Sequence, residues 1–311
     1  MLRREFLATA TFSLAALPLA SSLSAVFGEE TTSKKILYFT RSQGFEHDPV
    51  KLGKDGKSLS EKTLARLAKD RGYELVSTKD GDVFDGDLSG YSAFIFYTSG
   101  QLDQEGGDGH KPISAEGLQN LLSAIRGGTG FLGFHSSTDT WNRHTGYKVD
   151  PVYEQHEYIL MHGGEFIVHG AQQEATVEVV DETLPSLKKR EPSFRLHEEW
   201  YANKNFAPDM RVLASLQTAG MDNKDNNQCY DRPAFPCIWA RREKKGPVAY
   251  CAMGHKMEFW SNGEFDDLIG DLIDVATGAI VVPTTPNLKQ CCPGADMLQN
   301  SWRTGLVNTS D

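Results

Sequence analysis

The sequence lacks the local signatures by which many active sites are read. It has no C-x-x-C pair, so a zinc ribbon is excluded. No H-E-x-x-H helix sets two metal ligands on one turn. A Walker loop is absent. The glycine-rich segment Gly106-Gly107-Asp108-Gly109 follows no strand and lacks the full G-x-G-x-x-G spacing, so no nucleotide cofactor is expected. Ser136 does not sit in a G-x-S-x-G elbow, which argues against a serine hydrolase. The five cysteines (Cys229, Cys237, Cys251, Cys291 and Cys292) are an odd number, so at least one stays unbridged. A chain of 311 residues needs no disulfide scaffold, and Cys229 with Cys237 is the one candidate pair. Positive charge is in deficit: 32 Lys and Arg face 42 Asp and Glu, for a net charge of -10. A field of that sign repels phosphate backbones, so nucleic acid is not an expected partner. No internal repeat and no Pro/Gly/Ser-rich linker divides the chain, which favours one domain.

What is present begins at the N-terminus. Arg3-Arg4-Glu5-Phe6-Leu7 precedes a mostly apolar run from Ala8 to Ala20, and Ser22-Leu23-Ser24-Ala25 follows. A positive region, a hydrophobic region and small residues in that order form an export signal, here over residues 1–25. The paired arginines point to the twin-arginine route, which carries proteins already folded. The run is shorter than the roughly 20 residues that span a bilayer. A second spanning candidate is lacking, so the expected location is periplasmic or secreted, with no membrane attachment once the signal is removed.

With 39% hydrophobic and 24% charged residues, the remainder can build a real core. Lys35 to Thr40 (KILYFT), Tyr73 to Ser77, Ala93 to Thr98 (AFIFYT) and Gly130 to His135 (GFLGFH) read as strands. The apolar runs suit parallel strands covered on both faces. A first helix is expected from an N-cap at Ser60, with Leu59 and Leu64 as a hydrophobic staple and Gly72 at its end. A second runs from Ser114 to Gly127-Gly128 along Leu118, Leu121, Leu122 and Ile125. Right-handed crossovers then give an α/β fold with a doubly wound, mostly parallel sheet. The second half adds β-hairpins through Glu165–His169, Thr176–Val180, Arg195–Tyr201, Arg211–Leu216, Cys237–Arg241 and Val248–Met253. A last helix spans about Glu264 to Ala276, and residues 279–311 form a tail.

Ligands of open α/β sheets bind beyond the carboxyl ends of the strands. Several of the nine histidines fall there. His47 follows the first strand, His135 ends the fourth and meets a sharp Ser136-Ser137-Thr138-Asp139 turn, His169 closes Glu165–Val168, and His255 follows Met253-Gly254. Alternation along Arg195–Tyr201 groups His197, Glu199 and Tyr201 on one face, with Leu196 and Trp200 opposite. Imidazoles with a carboxylate suit a divalent zinc, manganese or iron ion. The expected metal ligands are His135, His169, Glu199 and His255. His135 and Glu199 are the expected catalytic groups, since imidazole also serves as a general acid or base. His47, Trp141, Trp200 and Tyr201 are the expected substrate contacts, the tryptophans as platforms for sugar C–H faces.

In order and spacing, Gly44-Phe45-Glu46-His47, Gly130 to His135, Gly163-Gly164-Glu165-Phe166-Ile167-Val168-His169, Glu199-Trp200-Tyr201 and Met253-Gly254-His255 resemble the ThuA-like (trehalose utilisation) family. The resemblance runs from about Lys35 to Gly278. It implies a class I glutamine amidotransferase-like (flavodoxin-like) fold, with His135 where those enzymes place a cysteine nucleophile, and hence no thiol amidotransferase chemistry. It also implies a role in carbohydrate metabolism, acting on disaccharides or keto-sugar derivatives as a lyase, isomerase or hydrolase. The alternative is a non-catalytic sugar-binding module. One departure is that Asp181-Glu182-Thr183-Leu184-Pro185 stands where the family has Asp-His-Pro.

Overall fold

The computed structural model describes residues 34–223 and 229–297. The export signal expected over residues 1–25 lies outside the described residues. The first half alternates strand and helix: Lys34–Phe39 (β1), Leu59–Asp70 (α1), Tyr73–Thr78 (β2), Tyr91–Phe96 (β3), Ala115–Gly127 (α2) and Gly130–Phe134 (β4). Glu157–His162 (α3), Glu165–His169 (β5), Gln173–Val179 (β6), Pro185–Lys188 (α4), Ser193–Glu198 (β7), Tyr201–Lys204 (β8) and Arg211–Gln217 (β9) follow. The chain continues through Phe235–Glu243 (β10), Gly246–Cys251 (β11), Met257–Ser261 (α5), Asp266–Ala276 (α6) and Leu288–Cys291 (α7). Nine strands form one sheet in the order β2-β1-β3-β4-β11-β10-β9-β6-β7. From β2 to β11 all neighbours are parallel, and from β11 to β7 all are antiparallel. This is the doubly wound α/β sheet expected from the sequence, extended by hairpins.

Period-two alternation divides the apolar runs between two cores. Ile36, Tyr38, Ala93, Ile95, Leu132 and Phe134 face one way, onto Leu64 and Leu67 of α1 and Leu268 and Leu272 of α6. Leu37, Phe39, Phe94, Phe96 and Phe131 face the other, onto Leu121, Leu122 and Ile125 of α2.

Several local expectations shift. The N-cap of α1 is Ser58, whose side chain accepts from the Glu61 amide, and not Ser60. Ser60 is buried and committed elsewhere, donating to the Pro49 carbonyl at 2.6 Å and lying 2.7 Å from the Tyr38 hydroxyl. A serine tied into tertiary hydrogen bonds cannot also cap the helix end. The helix expected from about Glu264 begins at Asp266, with the separate short α5 before it and α7 after it. None of the five cysteines is bridged, Cys229 and Cys237 included. The described part of the tail, residues 279–297, packs on the body. Leu288, Cys292 and Ala295 are buried, and the Asn287 amide bonds both the N–H and the C=O of Val212 in β9, at 2.7 and 2.9 Å.

The largest correction concerns Arg195–Tyr201. It is not one strand. β7 pairs with β6 at the edge of the main sheet, while β8 pairs with β5 in a separate two-stranded ribbon. The chain turns a corner at Glu198, Glu199 and Trp200. His197 is therefore exposed on β7 and does not share a face with Glu199.

Candidate metal centre

Three parallel-sheet strands release histidines at their carboxyl ends, as the fold requires. His47 lies in the loop after β1, and its carbonyl accepts from the Val50 amide at 3.1 Å. His135 follows β4 with φ of 42°, a left-handed conformation rare for a residue with a side chain. The turn is held from both sides: Tyr250 donates to the His135 carbonyl at 2.8 Å, and His135 Nδ1 lies 3.1 Å from the Ala252 carbonyl. His255 follows β11 through Gly254, whose φ of 129° requires glycine. Glu199 arrives from the corner between β7 and β8.

One ligand atom from each of His47, His135, Glu199 and His255 lies within 4.8 Å of the others. Glu199 Oε2 is 3.0 Å from His255 Nδ1, 3.4 Å from His135 Nε2 and 3.9 Å from His47 Nε2. Bonds of about 2.0–2.1 Å put tetrahedral ligand atoms roughly 3.3 Å apart, so the spacing fits a small cation. His135 Nε2 and His255 Nδ1 are buried and have no hydrogen-bond partner despite their closeness to the carboxylate. The two nitrogens and the carboxylate oxygen converge without the alignment of a hydrogen bond, a spacing that a metal ion fits. The Ala252 carbonyl makes the point for His135. It accepts the Nδ1 proton and leaves the Nε2 lone pair facing inward, the usual support of a ligating imidazole.

The charge state also suits a cation. Burial pushes His135 down to about 3, outweighing the contact with Glu199, and it lowers His47 as well. Burial alone would raise the Glu199 carboxyl, but the contacts with His135, His255 and His47 hold it well below the usual range. Neutral imidazoles around an ionised carboxylate are the forms that ligate. This His/Glu group could hold a metal ion.

The family profile described as trehalose utilisation matches residues 35–273. The chain belongs to the ThuA family. No curated protein matches this ThuA chain. Among solved structures it is similar to a ThuA-like protein from Bacteroides uniformis, with 20% identity over 78% of this chain and 90% of that one, at a TM-score of 0.55. A ThuA-like protein from Parabacteroides merdae is 14% identical, over 84% of this chain and 98% of that one, at a TM-score of 0.54. These likenesses show the glutamine amidotransferase-like fold. The family places the protein in carbohydrate metabolism.

Within the ThuA chain, the group of four differs from the expected ligands by one histidine. His47, expected as a substrate contact, is 3% exposed and has a nitrogen among the four grouped atoms. His169, expected as a ligand, stands at the rim with its side chain 38% exposed. Its Nδ1 is 3.0 Å from the Gly170 carbonyl and 3.6 Å from the other Glu199 oxygen, Oε1, so it lies outside the four-atom group. His135 has one nitrogen on the Ala252 carbonyl and the other inside the group of four. Trp200 is fully buried in the main core and donates to the Gln173 carbonyl, so it offers a sugar no free face. Trp141 is buried as well, stacked on His156 at 5.0 Å and donating to Asp103. Tyr201 is buried against His135, its hydroxyl 3.3 Å from His47 Nε2.

Two residues escaped sequence reading. Glu198 is fully buried, and its carboxylate accepts from the amides of Gly254, Lys256 and Glu199 at 2.8, 3.2 and 2.9 Å. It thereby ties the His255 segment to the Glu199 corner. The doubled glutamate was the visible signal, but strand alternation drew notice only to Glu199. Asp139, at the end of the His135 turn, is pushed up to about 6 by burial, with Asn142 donating to it at 3.0 Å.

His162, also fully buried, supports the same turn from behind, its Nε2 3.0 Å from Ser137 Oγ. Burial pushes it down to about 3, below the unfolded value of about 6.5. Its contribution to stability is therefore complete above about pH 6.5 and lost as pH falls toward 3, by roughly 1.4 kcal/mol per pH unit. The gap in unfolding free energy between wild type and His162→Gln is expected to narrow from pH 7 to pH 4. An equal gap at both values in urea titrations would count against a neutral buried ring.

Proposed function

We propose that this ThuA protein is an exported, metal-dependent enzyme acting on disaccharides or their keto-sugar derivatives. The observation that carries the reading is the convergence of two partnerless buried imidazole nitrogens, of His135 and His255, on one carboxylate oxygen of Glu199. His47 completes the set. Three nitrogens and one oxygen suit zinc, manganese or iron. When bound, such an ion acts as a Lewis acid on a carbonyl or hydroxyl oxygen. The protein's own residues do the rest. Ala252 and Glu198 hold the ligands in place through their hydrogen bonds. His169, the half-buried imidazole at the rim, is placed to move a proton at the edge of the centre. That combination suits isomerisation, elimination or hydrolysis of a keto-glycoside. The Arg3-Arg4 pair ahead of the apolar run, read as a twin-arginine signal, supports export of a protein that takes its metal before leaving the cytoplasm.

The test is metal analysis of purified wild type and His135→Ala, with turnover of trehalose and keto-disaccharides by both. Stoichiometric metal and turnover in the wild type, both lost in His135→Ala, are expected. Equal metal content and activity in the two proteins would sink the proposal. Sugar binding without metal or turnover would instead identify a binding module.

A further inference from the structure

Phe45 is 66% exposed, yet its ring stands edge-on to the His47 imidazole at 4.9 Å. Single exposed apolar residues are common and need no explanation on their own. This one differs because its backbone is pinned. The amides of Gln43 and Gly44 donate to the Ser99 carbonyl at 3.0 and 3.1 Å. Ser99 Oγ donates to the Phe45 carbonyl at 2.7 Å. The Gln43 side chain accepts from the Gln101 amide at 2.9 Å. Gly44 is packed so closely that an added Cβ would lie 3.3 Å from Ser99 Oγ. The ring is thus presented to solvent by a fixed loop, beside a centre made of polar groups. Lys51, paired with Asp48 at 2.7 Å, holds its ammonium over one face of the ring, 6.0 Å from the centroid.

An apolar face, a flanking donor and a neighbouring polar centre are what a sugar ring needs. Its C–H face buries on an aromatic ring while its hydroxyls turn to donors and acceptors. With Trp141 and Trp200 buried, Phe45 is the exposed aromatic ring in contact with the ligand set among the described residues. We infer that Phe45 is the stacking platform for a pyranose ring whose oxygen reaches the His47–His135–Glu199–His255 centre, with Lys51 donating to a hydroxyl at the ring edge. This rests on the carbohydrate reading proposed above.

The test uses the mature, zinc-loaded chain titrated calorimetrically with trehalose and with a keto derivative of trehalose. Phe45→Ala is expected to weaken binding about tenfold or more, and Phe45→Trp to keep it within a few-fold. Zinc content and melting temperature should stay at wild-type values in both. Unchanged affinity in Phe45→Ala would overturn the platform while leaving the carbohydrate reading intact. A loss of affinity that follows a loss of zinc would also overturn it, because Phe45 would then act through His47. If wild type takes neither sugar, the carbohydrate reading fails and the platform with it.

Discussion

Glu199→Gln is expected to lower zinc affinity by at least roughly a hundredfold, beyond what loss of an outer-shell partner costs. The carboxylate is the one anionic group in the set, and its Oε2 faces all three imidazoles at 3.0 to 3.9 Å. Glutamine keeps the shape but removes the charge, leaving only the three imidazoles and an uncharged amide to hold a dication. The metal-free variant should still fold, because glutamine keeps the size of the side chain, at the cost of the carboxylate's contacts with His135, His255 and His47. Zinc analysis after dialysis against a weak chelator, with melting curves of both metal-free proteins, reads the two effects apart. Full zinc retention by Glu199→Gln would remove Glu199 from the ligand set.

The second large effect belongs to Glu198, which lies outside the group of four yet ties down the segments that carry His255 and Glu199. Its carboxylate takes three backbone amides, two from the segment that carries His255 and one from Glu199 itself. Glu198→Gln turns one acceptor into a donor aimed at a buried N–H. Losing a hydrogen bond to a charged group and leaving its partner unpaired costs about 3 kcal/mol. The same change loosens the His255 segment against Glu199, so zinc affinity should fall by about 10–100-fold. Urea unfolding of the metal-free protein and a zinc titration measure the two consequences. A destabilised variant that binds zinc as tightly as wild type would show that Glu198 serves the fold alone.

The first half of the chain was legible because its signals are local. Ser114 caps α2 as its spacing foretells, and Gly128 ends it with φ of 131°. The runs around Phe39, Phe96 and Phe134 read as strands because a parallel sheet buried on both faces must be apolar along its length. The shift of one cap from Ser60 to Ser58 has the same kind of explanation at longer range. Ser60 is claimed by Pro49 and Tyr38, and the serine two residues earlier is left to accept from Glu61.

The corner at Glu198–Trp200 was not legible. His197, Glu199 and Tyr201 alternate as a strand would, and nothing within ten residues marks a break. The chain turns there because Trp200 enters the main core and Glu198 finds amides more than fifty residues away. The choice between His47 and His169 was hidden for a related reason. Both follow strands, but β1 belongs to the parallel sheet while β5 belongs to the separate ribbon. Only the first delivers its histidine into the four-atom group.

By itself, then, the sequence determined the α/β architecture, the apolar strands, and the placing of His47, His135 and His255 just past strand ends. Those features follow from periodicity and turn chemistry, which act over a few residues. The tertiary structure decided which groups close on one point, and that Trp141 and Trp200 are buried while Phe45 stands in solvent. Convergence to within a few ångströms depends on strand order and on hydrogen bonds between distant segments, and spacing along the chain carries neither.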